Sequence, residues 1–388
     1  MKAGVLKETW PEEARVALVP AALAALKRAG VEVVVESGAG HAAGFPDAEY
    51  EEKGASVASR EEVLSSATLL LSVRSLAGGH DAEAIGRLGP EHVVVGFLDP
   101  LGNPQGVRAL AARGATAFSV EMLPRITRAQ SMDALSSTAT VVGYKAVLLA
   151  AAALPRMMPM LMTAAGTVAP ARAFVIGAGV AGLQAIATAK RLGAVVHAYD
   201  VRPAVKEQIE SLGGKFVELP LETGDAEDKG GYAKAQDETF YRRQRELLQK
   251  VVADSDIVIS AAAVPGKKAP VLVTNEMLAG MRPGSVIVDL AAEQGGNCEA
   301  STPGETITRD DVTVIAPLNL AASVPYHASQ LYARNLANFV VNLAADGVLQ
   351  LDKDDEIVRD SMVARGGEVI HPRVREALGL DAPDSQQA

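Results

Sequence analysis

Hydrophobic positions along the first third of the chain form short runs separated by polar and helical stretches. Between residues 21 and 29 the apolar positions follow a helical spacing, whereas the runs around this stretch are too short for helices. Such alternation is typical of βαβ units stacked around a parallel sheet. The pattern therefore predicts a first doubly wound domain, with strands over residues 4–6, 31–35, 68–73, 92–97 and 116–120.

A second series of the same kind starts after residue 171. Two long helical patterns flank it, one over residues 134–154, which contain no proline and no glycine except Gly143, and one over residues 326–345. We expect the first of these helices to be buried. The predicted strands of the second series span residues 172–176, 194–199, 256–260, 285–289 and 312–315.

These patterns predict an α/β fold with two Rossmann-like, doubly wound parallel-sheet domains, joined by long helices and with a cleft between them. We expect the helix over residues 326–345 to return to the first domain, which makes that domain discontinuous. The first domain would then comprise residues 1–133 and 326–388 and end in an irregular charged tail. The second domain would comprise residues 134–325.

Composition and charge exclude several classes of function. The 388 residues are 48% hydrophobic, enough for two cores, and a net charge of -10 disfavours nucleic acids and anionic membrane surfaces as partners. The single cysteine, Cys298, excludes an internal disulfide and, without an apolar segment after Met1, indicates a reducing cytoplasm. Prolines interrupt the apolar stretch over residues 146–171, so no membrane insertion is predicted. The six histidines lack metal-ligand spacing, so no metal site is predicted.

A glycine motif follows the predicted strand over residues 172–176 and opens a helical pattern. Gly177 permits a tight turn, Gly179 lets a pyrophosphate approach the backbone, and Gly182 lets helix and strand pack closely. The N-terminus of the helix supplies N–H donors to the phosphates. The sequence therefore predicts a dinucleotide site that also includes Val180 and Ala181, with a glycine-rich turn without ligand as the structural alternative.

A carboxylate stands at the position that decides the choice of nucleotide. Asp200 ends the next predicted strand, roughly 20 residues after the motif, where an acidic side chain accepts hydrogen bonds from the adenosine ribose. It would repel a 2′-phosphate, so NAD(H) is favoured as the cofactor, although the neighbouring Arg202 could weaken that discrimination. Val201 and Arg202 complete this region of the predicted site.

Three segments carry a resemblance to a known superfamily. They are KETWPEEARVAL over residues 7–18, the glycine motif extended by Leu183-Gln184-Ala185, and DLAAEQGGN over residues 289–297. Through them the chain resembles the alanine dehydrogenase and transhydrogenase superfamily over nearly its whole length. The resemblance implies a redox protein that binds NAD(H). The function of the segment from Glu293 to Asn297 stays open.

A polar segment over residues 124–136 distinguishes the two branches of this superfamily. Its sequence, PRITRAQSMDALS, resembles the loop with which transhydrogenases hold the nicotinamide ring. The resemblance implies that Arg125, Gln130, Asp133 and Ser136 position the ring and its carboxamide. The structural alternative is a polar loop with ordinary ion pairs.

A glycine-hinged insertion over residues 224–240 suits a mobile lid. It resembles the mobile loop of transhydrogenases, here about residues 222–238, and the resemblance implies that Gly231 and Tyr232 close over the bound nucleotide. Gln244 and Ala263 match further nucleotide contacts of that family. Without the resemblance, the same stretch is typical of a disordered surface loop.

The acid/base pair of the alanine dehydrogenases has no counterpart in this sequence. Where those enzymes carry a lysine and a histidine, this chain has Arg74 and the histidine-free run over residues 95–100, and His92 precedes that run. Oxidation of an amino acid releases a proton and needs a base, whereas transfer between two nicotinamides moves only the hydride. The resemblance therefore favours the transhydrogenase branch.

That branch implies partners that the chain itself does not contain. Only one glycine motif is present, so NADP(H) would bind to a partner subunit, and membrane-spanning subunits would couple hydride transfer to proton translocation. The chain would then lie on the cytoplasmic side of the inner (plasma) membrane, held there by these subunits. The family also implies a homodimer.

Two other functions are compatible with the same residues. One is a soluble NAD-dependent alanine dehydrogenase, and the other is a non-catalytic NAD(H) sensor that uses the Tyr232 loop as a contact surface. Arg15 bears on the first, because its counterpart in amino-acid dehydrogenases grips the substrate carboxylate. We favour a structural ion pair for Arg15, joining two elements of the first domain.

Overall fold

The computed structural model describes residues 1–77, 80–219, 236–263, 266–351 and 354–381. The chain divides into two compact units. Unit 1 comprises Met1–Thr138 and Ala321–Ala388, and unit 2 comprises Ala139–Leu320.

The strands of the described residues are short and mostly apolar. They are β1 (Lys2–Val5), β2 (Glu32–Glu36), β3 (Ser56–Ala58), β4 (Leu69–Leu71), β5 (Val93–Gly96), β6 (Thr116–Ser119), β7 (Leu161–Thr163), β8 (Gly166–Val168), β9 (Arg172–Ile176), β10 (Val195–Tyr199), β11 (Lys215–Phe216), β12 (Ile257–Ser260), β13 (Val286–Asp289), β14 (Thr306–Arg309), β15 (Val312–Ile315), β16 (Ala344–Ala345), β17 (Val348–Leu349), β18 (Met362–Arg365) and β19 (Glu368–Val369).

The α-helices alternate with these strands along most of the chain. They are α1 (Leu23–Arg28), α2 (Asp47–Glu52), α3 (Arg60–Ser66), α4 (Ala82–Gly86), α5 (Pro104–Ala112), α6 (Ala134–Ala153), α7 (Val180–Arg191), α8 (Lys206–Ser211), α9 (Glu238–Ala253), α10 (Asn275–Ala279), α11 (Pro325–Leu343), α12 (Glu356–Ser361) and α13 (Pro372–Ala377).

Unit 1 is built on an eight-stranded sheet in the order β19-β18-β6-β5-β4-β1-β2-β3. Strands β1 to β6 run parallel, and the side chains of β4, β5 and β6 are buried on both faces, as continuous apolar runs such as Leu69–Leu71 require. The sheet reverses its strand order between β1 and β4. Ligands of doubly wound sheets bind at such a switch point, outside the carboxyl ends of the strands.

The prediction of an irregular tail after the second long helix is wrong. Strand β18 pairs antiparallel with β6, Met362 lies opposite Phe118, and β19 forms the edge of the sheet. The apolar run Met362–Ala364 is buried, but charged residues flank it and it is too short to give a strand pattern by itself. Pairing with a completed sheet decides its conformation.

Helix α11 belongs to the core of unit 1. It starts at Pro325, a residue suited to the first turn of a helix, and it buries Tyr332 and Phe339. The Tyr332 hydroxyl donates to the carbonyl oxygen of Ser72 at 2.8 Å, and the ring of Phe339 meets Phe118 edge-on at 5.6 Å. Residues distant in sequence thus join one core.

Unit 2 is built on a seven-stranded sheet in the order β11-β10-β9-β12-β13-β15-β14, parallel except for β14. Its switch point lies between β9 and β12. Parallel sheets flanked by helices in both units confirm the predicted class of two Rossmann-like, doubly wound folds.

Helix α6 is more exposed than the sequence pattern predicts. It is long and apolar enough to cross a membrane by length and composition, a test that core helices of soluble proteins also pass, and 33% of its most apolar window is buried. Ala146, Val147 and Ala150 pack in the core of unit 2, whereas Tyr144 is exposed. The alanines of α6 give little contrast between a buried and an exposed face, so the sequence alone suggests a fully buried helix.

Candidate functional site

The switch point of unit 2 is formed by the glycine turn that the sequence predicts. Gly177 follows β9 with φ of +92°, a left-handed conformation that favours glycine, and its N–H donates to the carbonyl oxygen of Tyr199 at 2.8 Å. A Cβ on Gly177 would lie 2.9 Å from the backbone carbon of Ala261, at the end of the neighbouring strand β12. A side chain at this position would therefore strain the backbone and also clash with Ala261.

The other two glycines differ in what surrounds them. A Cβ on Gly182, in the first turn of α7, would lie 1.9 Å from the carbonyl oxygen of Gly177. No atom of the described residues lies within 4 Å of the position that a Cβ on Gly179 would take. Gly179 caps α7, so the open space lies beside the helix N-terminus, where a pyrophosphate fits.

Asp200 lies beside this turn and is buried. Its Oδ2 accepts from the N–H of Ala178 at 2.7 Å and from Nη2 of Arg202 at 2.9 Å. Its Oδ1 accepts from the backbone N–H and from Nε of Arg202, both at 2.9 Å. The structure thus ties the predicted ribose carboxylate to the glycine turn and to the arginine two residues away.

Gln244 is the buried polar position of an otherwise apolar helix face. On α9 it stands one and two turns before Leu248 and Val252, and its Nε2 donates to the Tyr199 hydroxyl at 3.0 Å. Its Oε1 has no hydrogen-bond partner within the described segments of the chain. Burial raises the pKa of Tyr199 to about 12. Gln244 and Tyr199 therefore form a neutral, buried hydrogen bond at the end of β10, next to Asp200.

The segment from Glu293 to Asn297 has a structural function that the sequence left open. The Asn297 side chain accepts from the N–H of Ala262 at 3.1 Å and donates to the carbonyl oxygens of Ala262 and Pro270, both at 2.8 Å. It thereby clamps the loop after β12, which contains the predicted contact residue Ala263. Glu293 accepts from the N–H of Asn319 at 2.8 Å.

A buried carboxylate anchors that clamp. Asp289 is fully buried at the end of β13 and accepts from the N–H groups of Ala291, Asn297 and Cys298 at 2.8–3.0 Å, and from Ser301 Oγ at 2.7 Å. Burial also raises the pKa of the Cys298 thiol to about 11, so the thiol stays protonated at neutral pH. The quoted segment over residues 289–297 begins with Asp289, but the burial of this carboxylate and its contact with Ser260 of β12 are seen only in the folded unit.

Three of the four predicted nicotinamide residues of unit 1 form one cluster at the start of α6. Arg125 Nη1 donates to Asp133 Oδ2 at 2.6 Å and to Ser136 Oγ at 3.3 Å. Ser136 donates to Asp133 from its N–H at 2.9 Å and from its hydroxyl at 2.5 Å. The structure brings these three side chains together, and Gln130 is exposed in the preceding 3-10 helix.

Two other predicted residues, Gly231 and Tyr232, lie outside the described residues, as does most of the predicted mobile loop. Among the remaining predicted nucleotide contacts, Val180 is exposed at the first position of α7. Ala181 follows it, and Val201 is partly buried after β10.

The switch point of unit 1 holds a carboxylate of the chain itself. Glu8, in the loop after β1, accepts from three successive N–H groups of the segment after β4, those of Val73, Arg74 and Ser75, at 2.6–2.8 Å. Successive N–H groups of this kind form an anion-binding nest. Burial raises the pKa of Glu8. The Glu8 side chain therefore occupies the switch point of unit 1, whereas the glycine turn leaves the switch point of unit 2 open.

Arg15 forms an ion pair with Glu13 of its own segment, and this pair does not itself join two elements of the first domain. Its guanidinium binds Glu13 in a bidentate pair at 2.7 and 2.8 Å, and both side chains are buried. The neighbouring Val16 N–H donates to Ser329 Oγ of α11 at 3.0 Å. The segment is thus fixed to the helix by its backbone.

Arg74, which stands at one of the two alanine dehydrogenase positions, and His92, which precedes the other, make structural contacts. The Arg74 guanidinium lies over the Trp10 ring at 4.4 Å. His92 is buried directly before β5, and its Nδ1 accepts from the N–H of Gly89 at 2.9 Å. That is the amino end of the strand, opposite to the edge where ligands of such sheets bind. In the described portion of the chain, no group of three or more histidine, cysteine, aspartate or glutamate residues could hold a metal ion.

Comparison with known proteins matches both units. The family models described as alanine dehydrogenase/PNT, N-terminal domain and C-terminal domain match residues 4–142 and 146–372. The chain is 45% identical to a Rhodospirillum rubrum protein named as the first portion of NAD(P) transhydrogenase subunit alpha, over 96% of this chain and 98% of that protein. The alanine dehydrogenase of Halomonas elongata is 31% identical, over 98% of both chains.

A solved structure, the transhydrogenase from Sinorhizobium meliloti, superimposes with a TM-score of 0.83. It is 43% identical, and the match covers 96% of this chain and 99% of that one.

Proposed function

The chain belongs to the alanine dehydrogenase/PNT family, and on that premise we propose that it is the NAD(H)-binding subunit of a proton-translocating transhydrogenase. The observation that carries the choice of branch is the higher identity, 45% against 31%, to a relative named as a transhydrogenase subunit. The position of His92 supports it, because a histidine at the amino end of β5 does not serve a site at the carboxyl ends. Alanine dehydrogenase is the alternative.

The proposed nucleotide site lies at the switch point of unit 2. Gly179, Val180, Ala181 and Gly182 would bind the pyrophosphate through backbone N–H groups, and Gly177 would form the tight turn that lets the pyrophosphate approach. Asp200, with Val201 and Arg202, would bind the adenosine ribose, and Gly231, Gln244 and Ala263 would contribute further contacts. The open space beside Gly179 supports this assignment, because it lies at the N-terminus of α7.

Hydride transfer in this proposal depends on positioning and not on proton transfer. NAD(H) supplies or accepts the hydride, and the chain holds the ring. Arg125, Gln130, Asp133 and Ser136 would fix the nicotinamide and its carboxamide, and Tyr232 would close the site against water. The Arg125–Asp133–Ser136 hydrogen bonds support a preorganised cluster. Among these five, none needs to change its protonation state.

The rest of the assembly belongs to the same proposal. NADP(H) would bind to a partner subunit, and membrane-spanning subunits would couple the transfer to proton translocation and hold this chain at the cytoplasmic side of the inner (plasma) membrane. Residues 1–133 with 326–388 would form the first domain and residues 134–325 the NAD(H)-binding domain. The acidic net charge of -10 fits contacts with other proteins better than contacts with lipid headgroups or nucleic acid.

Reduction of an NAD analogue by NADPH tests the proposal. We expect rapid transfer when the chain is mixed with the NADP(H)-binding subunit of the same organism, and none with either protein alone. Failure of the mixture, although each protein binds its nucleotide, would contradict the proposal. Turnover of L-alanine with NAD by the chain alone would then establish the alternative.

We also propose that the chain forms a homodimer through the hairpin of β7 and β8. Five of its six strand residues are exposed, and Met157, Met160, Met162 and Val168 present large apolar side chains within twelve residues. A two-stranded hairpin is only marginally stable without further packing. A second copy of the chain would cover this surface. The exposed face of α6, which lies nearby in sequence, would belong to the same interface.

Sedimentation velocity tests the dimer. Met162→Lys, at a side chain that is 76% exposed, is expected to convert the dimer to a monomer because it buries a charge in the interface. Val348→Lys, at a 60% exposed position on β17 of unit 1, is the matched control and should remain dimeric. A dimeric Met162→Lys variant would exclude the hairpin as the interface.

A further inference from the structure

The hydrogen-bonding capacity of Asp200 is already filled by the protein. A carboxylate offers about four acceptor positions. In Asp200 they receive the N–H of Ala178, the N–H of Arg202 and two side-chain N–H groups of Arg202, all at 2.7–2.9 Å. A ribose hydroxyl that donates to this carboxylate must therefore replace one of these donors.

The side chain of Arg202 is the donor that can be replaced. The two backbone N–H groups belong to the glycine turn and to the chain after β10, and their position is set by the sheet. The guanidinium reaches back over only two residues and is 12% exposed, against 4% for the Asp200 side chain. Rotation of one long side chain frees two acceptor positions, as many as the two ribose hydroxyls can use.

We propose that Arg202 is a sequestered receptor for a nucleotide 2′-phosphate, and that its pairing with Asp200 makes the site select NAD(H) over NADP(H). This inference rests on the proposed binding of NAD(H) by unit 2. Asp200 acts twice: it would repel a 2′-phosphate directly, and it neutralises the guanidinium of Arg202. NAD(H) binding exchanges the arginine for the ribose hydroxyls.

The behaviour of buried ion pairs explains why loss of the Asp200 charge should raise the affinity for NADPH. Loss of one partner from a buried ion pair leaves the other charge uncompensated, and that charge then attracts a counter-ion. A guanidinium with its fork of N–H groups is well suited to a phosphate, which it binds in a bidentate manner. A variant without the Asp200 charge should therefore gain affinity for NADPH, and it should do so only through Arg202.

Nucleotide affinities of four proteins, measured by fluorescence titration with NADH and NADPH, test this. We expect Asp200→Asn to bind NADPH about tenfold or more tightly than the wild type, and NADH more weakly. Asn keeps an oxygen acceptor for the N–H of Ala178, so the turn is retained. The double variant Asp200→Asn with Arg202→Gln is expected to lose the gain for NADPH.

Arg202→Gln alone is the matched control. It should still exclude NADPH, because Asp200 remains. The inference is overturned if the double variant binds NADPH as tightly as Asp200→Asn does, or if Arg202→Gln alone gains as much affinity for NADPH as Asp200→Asn does.

An unchanged unfolding midpoint shows that each variant is folded. The inference and the proposed function fail in different ways. A wild-type chain that binds NADH with the expected selectivity but exchanges no hydride with its partner would contradict the proposed function alone. A wild-type chain that does not bind NADH would contradict both.

Discussion

Replacement of Gly182 with alanine is expected to unfold unit 2 and to abolish NADH binding. The new Cβ would lie 1.9 Å from the carbonyl oxygen of Gly177, a backbone atom of a turn that is itself packed against β12. Neither atom can move as the end of a flexible side chain does. The expected cost is about 4 kcal/mol or more, a large share of the stability of a typical domain. Urea denaturation and NADH titration measure the two losses.

Gly179→Ala is the matched control for this prediction. No atom of the described residues lies within 4 Å of the added methyl group, and Gly179 has φ of -70°, which alanine adopts readily. Loss of glycine at the helix cap costs at most about 1 kcal/mol. The methyl group nevertheless fills the space for the pyrophosphate, so NADH affinity should fall about tenfold or more. Equal unfolding midpoints for the two variants would contradict the predicted clash at Gly182.

The glycine turn was predictable because every element of it is local in sequence. The strand β9, the turn and the helix α7 follow one another within about twenty residues, and each glycine has its own steric reason. The same holds for Asp200, which ends the next strand. The two parallel sheets followed from the alternation of apolar runs and helical patterns.

The features that the sequence did not reveal depend on contacts between distant segments. Asp289, which anchors the clamp made by Asn297, also accepts from Ser260 Oγ of the neighbouring strand β12, a contact that exists only when β12 and β13 pair. Strand β18 has too few apolar residues to be recognised before β6 exists as its template. Glu8 fills its nest through residues sixty-five and more positions away. Periodicity carries no information about such pairings.

The cluster of Arg125, Asp133 and Ser136 is intermediate between the features that the sequence predicts and those that it does not reveal. Resemblance, and not spacing, selected Arg125, Asp133 and Ser136, and the structure brings all three within hydrogen-bond distance. The ordinary alternative, a polar loop with ion pairs, describes the same contacts. Arg128, three residues further on, also forms an ion pair, with Asp355. Geometry alone therefore does not separate a ring-holding arginine from a structural one, and a measurement of hydride transfer must.

Replacement of Arg125 with glutamine is expected to slow hydride transfer to the partner's NADP about a hundredfold, because misplacement of a reacting ring by about 1 Å has an effect of this size. Stability should change by no more than about 1 kcal/mol, since the ion pair with Asp133 is partly exposed. Transfer is measured with NADPH and an NAD analogue in the presence of the partner subunit, and NADH affinity is measured in parallel. A loss of rate larger than the loss of affinity identifies a positioning defect.

Arg128→Gln provides the comparison that decides the function of Arg125. Both arginines lie on the segment between β6 and α6, both pair with an aspartate, and Arg128 binds Asp355, which caps α12. Loss of Arg128 removes a charged partner of the buried Asp355, so this variant should lose at least as much stability as Arg125→Gln. Its rate of hydride transfer should nevertheless equal that of the wild type. If the two variants transfer hydride equally fast, Arg125 is a structural residue, and the cluster at the start of α6 does not hold the nicotinamide.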